Sequence, residues 1–369
     1  MKNNIFRVLH ISKDLVGGIG TVIHILNIFF NNFKNICYDD FNGKNQIMKY
    51  KRFHYELKNN LHNVQIIHFH GAWTPHILPL MNNLKQLTVV SPHGALDKVS
   101  LEKSKVKKMI VKYLYMKKAY SKANCIHALT EKEAKDIRDY GIKNIPIFVI
   151  PNGIDVNEKL EINIVQKNDW LKLANNRKVI LSLSRLHSAK GIDMLIDSYL
   201  KLYKNSADST VLFIVGSGDV KYIKHLEQKI ISSDLQNNVF LLGELVGVMK
   251  NTIYDIANVF ILPSFNEGFG ITVLEAYRQN VPVITTTATP FGDIQELKCG
   301  WYVNPNIADT YNALNEATSL SKEELIQKGK IGNEWIRKNY SIDEIMQKYE
   351  KMYAWLVEKS NIPEFIYKG

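Results

Sequence analysis

The sequence predicts an α/β protein built of two parallel-sheet domains, and three observations carry that prediction. Short apolar runs alternate with amphipathic segments along the whole chain, the pattern of parallel strands joined by helical crossovers. At 369 residues the chain is long for one ordinary domain and suits two. Charge divides it as well: the net +11 resolves into +13 over residues 1–150 and −2 over residues 151–369. A basic half attracts nucleic acid, anionic lipid or phosphorylated small molecules, and charge alone does not choose among them. Cys37, Cys125 and Cys299 lie far apart without CxxC spacing, so neither a disulfide framework nor a zinc site is expected, and a reducing cytoplasm fits. The opening ten residues lack the apolar core of a signal peptide, and no apolar run is long enough to span a bilayer.

The first strand is read at Phe6–Ile11, followed by Gly17, Gly18 and Gly20 and a helical stretch over Thr21–Phe30. Strand, glycine turn and helix make a phosphate cradle, because glycines let a phosphate reach the free N–H groups of the helix start. The Gly-Gly-x-Gly spacing is not that of a dinucleotide site, so a plain turn is the competing reading. Val64–Trp73 is a strand ending in a loop with His68, His70 and Trp73. The two histidines share a strand face. A metal site would need further ligands, and none lies near in sequence, so a ligand-contacting loop that carries His70 and Trp73 is preferred. Leu87–Ser91 leads into Pro92-His93-Gly94, which holds His93 at a loop tip where binding residues concentrate.

From Lys98 to Lys122 nine lysines face one acid, with apolar residues interleaved at roughly helical spacing. A solvated face explains such a run. The sharper reading is a basic amphipathic helix on anionic lipid, with Lys103, Lys107 and Lys108 toward the membrane. Nucleic acid is not expected, since no recognition motif accompanies the lysines. Ala123–Leu129 reads as a strand, and Thr130 with Glu133 as a capping box. The strand Ile147–Ile150 meets Pro151-Asn152-Gly153, a strong turn where the charge changes sign, and the domain boundary is placed there: 1–152 and 153–342.

The second half restarts the rhythm. The strand Val179–Ser184 delivers Arg185 and Lys190 to one loop, and Gly191 opens a helix over Ile192–Tyr203. Two cations at the positive end of a helix are poor neighbours unless an anion joins them, which argues for a bound diphosphate. Strands follow at Thr210–Val215, Val239–Leu242 and Val281–Thr285. Between the last two, the buried strand Val259–Pro263 runs into Ser264-Phe-Asn-Glu267-Gly268-Phe269-Gly270 and a helix carrying Glu275. Two carboxylates around a bare glycine turn suit a ligand rich in hydroxyls. Residues 331–340 and 342–357 look helical.

Glu267-Gly-Phe-Gly270 with Glu275, Arg185-x-x-x-x-Lys190-Gly191, Pro92-His93-Gly94 and the N-terminal glycine loop occur in that order across nearly the whole chain. Together they resemble family 4 of the retaining glycosyltransferases. The resemblance implies the GT-B fold, two Rossmann-like doubly wound domains facing a central cleft, with a last helix, about 343–369, packing back on the first domain. It implies transfer of a sugar from a nucleotide diphosphate donor with retention. Arg185 and Lys190 would clamp the diphosphate, Glu267 would orient the sugar with the N–H groups of Phe269 and Gly270, Glu275 would accept the ribose hydroxyls, and His93 would contact the sugar. Gly17, Gly18, Gly20 and Gly268 would line the donor site, and His70 and Trp73 would contact the acceptor, the indole as a platform for a sugar ring. Ser184 departs from the glycine many members carry, without removing a charge. No Asp-x-Asp occurs, so a metal-independent reaction with no cofactor is expected. The acceptor is expected to be a lipid-linked oligosaccharide for a bacterial surface polysaccharide, lipopolysaccharide O-antigen or capsule, at the inner face of the cytoplasmic membrane. A soluble small-molecule or protein acceptor, or a non-catalytic subunit that binds membrane or polymer, are the alternatives.

Overall fold

A computed structural model describes residues 6–13, 20, 22–23, 26, 34–42, 45–82, 84–97, 115–205, 209–359 and 361–369. The chain divides into two units, one of Met1–Gly153 with Ile342–Gly369, the other of Ile154–Ser341.

The first unit holds a parallel sheet of β1 (Val8–Ser12), β2 (Lys34–Cys37), β3 (Ile66–His70), β4 (Leu87–Ser91), β5 (Cys125–Ala128) and β6 (Ile147–Val149), in the order β2-β1-β3-β4-β5-β6. Apart from the exposed start of the edge strand β2, its strands are buried on both faces, which explains their largely apolar sequence. Alternation sorts the side chains: Ile67, Phe69, Val90 and Ile126 enter one core, and Val8, Ile66, Val89 and Cys125 enter the other. The second core is closed by the helix Ile342–Glu358, which buries Ile345, Met346, Tyr349, Met352, Tyr353 and Leu356 there. Each such side chain contributes about 1.5–3 kcal/mol. Val22, Ile23 and Leu26 are helical and buried. Gly17 and Gly18, and the basic run with Lys103, Lys107 and Lys108, lie outside the described residues; of that run, Lys117–Tyr120 is described, and it is helical.

The second unit repeats the plan with β7 (Lys178–Leu183), β8 (Thr210–Val215), β9 (Val239–Leu241), β10 (Val259–Leu262), β11 (Val283–Thr286) and β12 (Gly300–Val303), ordered β12-β11-β10-β7-β8-β9. From β7 the chain winds outward through β8 and β9, then returns to the other side of β7 with β10. The order therefore reverses between β7 and β10, and in open parallel sheets the crevice beyond the strand ends at such a reversal is where ligands bind. The loops after β7 and β10 carry Arg185 to Gly191 and Ser264 to Gly270. The helix near the end is longer than its sequence pattern indicates, Lys322–Asn339, because Ser321 and Glu324 form a full capping box ten residues upstream of the periodic stretch.

Candidate functional site

Two loops of the second unit are welded at the β7/β10 reversal. Lys190 ends a short 3-10 turn capped by the His187 side chain. The next residue, Gly191, sits at φ +68, where an added Cβ would lie 2.1 Å from the Pro263 carbonyl oxygen. Only glycine allows that approach. Phe265 N–H then donates to Ala189 O at 2.9 Å. Across this seam Lys190 Nζ meets Glu267 Oε2 at 2.6 Å, and Ser264 Oγ donates to the same oxygen at 3.0 Å. The two side chains are only 14% and 11% exposed, so the pair is shielded from bulk screening. Lys190 therefore already has an anionic neighbour, and the repulsion that argued for a bound diphosphate is relieved for it within the protein. Arg185 differs: its side chain is exposed and makes no hydrogen bond or ion pair among the described residues. Its loop is fixed by the Leu186 N–H to Ser217 O bond of 2.7 Å and by Gly216 and Gly218, whose missing Cβ atoms make room for Ser184 O and Leu186 O.

Gly270 takes φ +92 and caps the helix Ile271–Arg278. Phe269 anchors the turn, its ring packed edge-on to Phe291 at 5.3 Å, so Gly268 and Gly270 stay accessible while Phe269 presents backbone alone. Glu275 lies on the helix; its Oε1 accepts from Lys250 Nζ at 2.6 Å and its Oε2 from Tyr254 O–H at 3.2 Å. Burial, with the Glu275 charge beside it, pushes the Tyr254 phenol up, so it stays a donor. Each carboxylate of the sequence motif thus leans on its own lysine. Lys250 and Tyr254 were not legible as site residues: a lysine and a tyrosine on an unremarkable helix, Gly247–Asp255, carry no local signal.

At the strand ends of the first unit the alternation that builds the second core also sends His10, His68, Ser91 and His127 to one face. His127 Nε2 bonds Ile150 O at 2.7 Å. A carbonyl only accepts, so Nε2 carries the proton and Nδ1 is bare. Ser91 O–H must then donate to Nδ1 at 2.6 Å, Ser91 Oγ accepts from His68 Nε2–H at 2.7 Å, and Tyr353 O–H donates to His68 Nδ1 at 2.9 Å. Beside this chain, His10 Nδ1 lies 2.8 Å from His70 Nε2, and His70 Nδ1 lies 3.0 Å from His93 Nε2. Burial lowers every one of these imidazoles: His10 and His93 to about 3, His127 to about 4, His68 and His70 well below the usual value. All are neutral at pH 7.

His10, His68 and His70 bring ring nitrogens within 4.8 Å of one another, close enough for a cation by distance. The rings of His68 and His70, however, stack 4.1 Å apart with planes 25° from parallel, so their in-plane lone pairs do not converge, and His68 uses both nitrogens on Tyr353 and Ser91.

His70 is fully buried and backs His93, so the expectation that it touches an acceptor is corrected: a ring with no exposed surface reaches no ligand. Trp73 is half-buried at φ +67, its Nε1–H donates to Ala95 O at 3.0 Å, and its ring meets Tyr140 edge-on; it braces the His93 loop. His93 itself adopts φ +54, a left-handed conformation strained for a side chain with a Cβ. Glu133 helps hold it there. Thr130 Oγ1 accepts from Glu133 N–H as a cap should, yet the carboxylate accepts from Leu129 N–H at 2.7 Å and from Gly94 N–H at 2.6 Å. The read capping box is therefore half a cap and half a clamp on the Pro92-His93-Gly94 turn. Burial raises the Glu133 carboxyl to about 7 against the pull of those N–H groups. Gly20 is buried in the helical stretch.

Comparison with known proteins gives two family models, Glycosyl transferases group 1 over residues 166–335 and Glycosyltransferase Family 4 over residues 36–158. The capsular polysaccharide biosynthesis glycosyltransferase CapM of Staphylococcus aureus is 30% identical over 274 residues, 70% of this chain and 69% of CapM. Mannosylfructose-phosphate synthase of Agrobacterium fabrum is 29% identical over 156 residues, 41% of this chain and 34% of the synthase. Across several such relatives the matched region spans only about a third to under half of the relative's length. Among solved structures, HepE of Anabaena in complex with UDP and glucose aligns with a TM-score of 0.77 at 16% identity, covering 95% of this chain and all of HepE, a likeness of fold.

Proposed function

This chain belongs to the group 1, family 4 glycosyltransferases of GT-B fold, and from that premise we propose that it transfers a sugar from a nucleotide diphosphate donor to a lipid-linked glycan in surface-polysaccharide synthesis, with retention of configuration. The observation that carries the donor reading is the β7/β10 reversal, where exposed Arg185, the Lys190–Glu267 pair and the Gly268–Gly270 helix start meet. Arg185 supplies a cation with no partner among the described residues, and Lys190 turns from Glu267 toward the leaving diphosphate as its charge grows, an electrostatic role usually worth several kcal/mol. Glu267, still held by Ser264, orients the sugar hydroxyls. Glu275, fixed by Lys250 and Tyr254, accepts the ribose hydroxyls. His93 serves as a neutral hydrogen-bonding group to the sugar. The chain's own residues supply this chemistry without a metal.

The acceptor reading is supported by the relatives' printed roles in capsule and O-antigen synthesis and by the charge excess of residues 1–150. No helix among the described residues is long and apolar enough to cross a membrane. The helix Gln46–Asn60 exposes Ile47 and Tyr55, 67% and 69% accessible, beside Lys51 and Lys58, a face suited to the inner leaflet of the cytoplasmic membrane. The test is a thermal-shift panel of UDP, GDP, ADP and CMP on the wild type and on Arg185→Ala/Lys190→Ala. A ligand at 100 times its Kd adds about 2.7 kcal/mol. A shift with one diphosphate, absent in the variant, is expected; no shift with any of the four counts against the donor site.

A further inference from the structure

We propose that His70, backed by His10, is a positioning residue that dictates which nitrogen of His93 carries its proton, and hence whether the remaining nitrogen, Nδ1, meets a ligand as donor or as acceptor. This rests on the assignment of His93 to the proposed site.

The geometry is a row of three imidazoles joined nitrogen to nitrogen, His10 Nδ1 to His70 Nε2 at 2.8 Å and His70 Nδ1 to His93 Nε2 at 3.0 Å. The rings of His70 and His93 lie within 20° of parallel with centroids 5.3 Å apart, the near-coplanar, end-to-end arrangement that a nitrogen-to-nitrogen bond of 3.0 Å requires. His70 is pinned from behind, since its carbonyl oxygen bonds His76 Nε2 at 2.8 Å and the carbonyl of Gly71 accepts from Tyr120 O–H at 3.1 Å. His93 Nδ1 has no partner among the described residues.

A neutral imidazole has one N–H, so each bond in the row needs a protonated nitrogen facing a bare one. Two arrangements satisfy both bonds. In one, His93 Nε2–H donates to His70 Nδ1 and His70 Nε2–H donates to His10 Nδ1; all three rings then carry the proton on Nε2, and His93 offers a bare Nδ1. In the other, His10 Nδ1–H donates to His70 Nε2 and His70 Nδ1–H donates to His93 Nε2; all three rings carry the proton on Nδ1, and His93 offers an N–H. Passing from the second to the first shifts one proton across each of the two bonds, while a proton arrives at His10 Nε2 and another leaves His93 Nδ1, so the net charge is unchanged. In either arrangement the three tautomers are the same. Burial disfavours an imidazolium in the row, which keeps the choice between two neutral states. His127, 6.3 Å away edge-on to His93, belongs to the separate chain locked by Ile150 O and does not enter the row. The sequence motif around His93 names a ligand-facing histidine; the row behind it decides what that histidine presents.

The experiment is long-range 1H–15N NMR of the full chain labelled at histidine, at pH 7.5, with signals assigned through His10→Gln and His93→Gln. No substrate is needed, so the outcome is independent of the nucleotide panel. Expected are three neutral rings with one shared tautomer at His10, His70 and His93, while His68 and His127 both carry Nε2–H. In His70→Phe, which keeps a flat ring but removes the relay, His93 should change from a single tautomer to an averaged mixture. Unlike tautomers within the wild-type row would overturn the proposal, as would a His93 signal unmoved in His70→Phe. Should that variant not fold, the wild-type spectrum still decides.

Discussion

Acid should dismantle the first unit far sooner than an ordinary protein of its size, because five of its described histidines, His10, His68, His70, His93 and His127, are held neutral by the packing around them. Each has a folded pKa well below its unfolded value near 6.5. The unfolded chain therefore binds protons that the folded chain refuses, and stability present above pH 6.5 is lost as the pH falls toward the folded values. Between pH 7.5 and 5.5 each such ring costs about 1.4 kcal/mol, so five cost about 7 kcal/mol. Glu133 works in the other direction. Its carboxyl, raised to about 7, takes a proton in the folded state before the unfolded one does, which restores about 2 kcal/mol over the same interval. The net loss is about 5 kcal/mol, comparable to the whole stability of many domains. For a unit of roughly 180 residues this corresponds to a fall in Tm of about 10–20 °C. Urea unfolding at the two pH values, with hydrogen exchange to locate the transition in residues 6–153, measures it. A free energy that changes by less than about 1 kcal/mol would refute the reasoning, since it would mean the rings are already charged or solvated when folded.

Gly191→Ala should be severely destabilising, because its Cβ would meet Pro263 O at 2.1 Å, whereas Gly247→Ala, also at positive φ but with nothing within 4 Å, should cost only the backbone strain of about 1–2 kcal/mol; equal losses in urea unfolding would show that the weld between the loops is loose. Glu275→Gln should weaken binding of the nucleoside diphosphate that passes the panel by about tenfold, or ~1.4 kcal/mol, as read by calorimetry; unchanged affinity would remove Glu275 from the ribose. Glu133→Gln should lower Tm more at pH 6 than at pH 8: the amide leaves one of two buried N–H groups unpaired at either pH, about 1–3 kcal/mol, and at pH 6 the variant also forgoes the roughly 1 kcal/mol that the raised wild-type carboxyl gains by taking up a proton in the folded state. A loss independent of pH would argue against the raised carboxyl.

The strand-helix rhythm, the parallel sheets and the loops that carry Arg185, Lys190, Glu267 and His93 were legible because they rest on local signals: two-residue alternation, glycine turns and caps. The family motifs are likewise runs of neighbouring residues. Tertiary structure alone decided what those residues touch. Lys250 meets Glu275 across 25 positions, Glu133 meets Gly94 across 39, and Tyr353 meets His68 across 285. No periodicity records such pairings, because they depend on strand order and on which face a returning helix covers. His68 and His70 were legible only as sharing a strand face, and His10 and His127 carried no local signal at all. Their hydrogen-bonded order follows from the register that sets β1 beside β3 and β3 beside β4. The sequence by itself determined which residue types lie on which loops; the packing of sheet against helix decided which groups are neutral and which are paired, and it leaves the Arg185 side chain exposed and without a partner among the described residues.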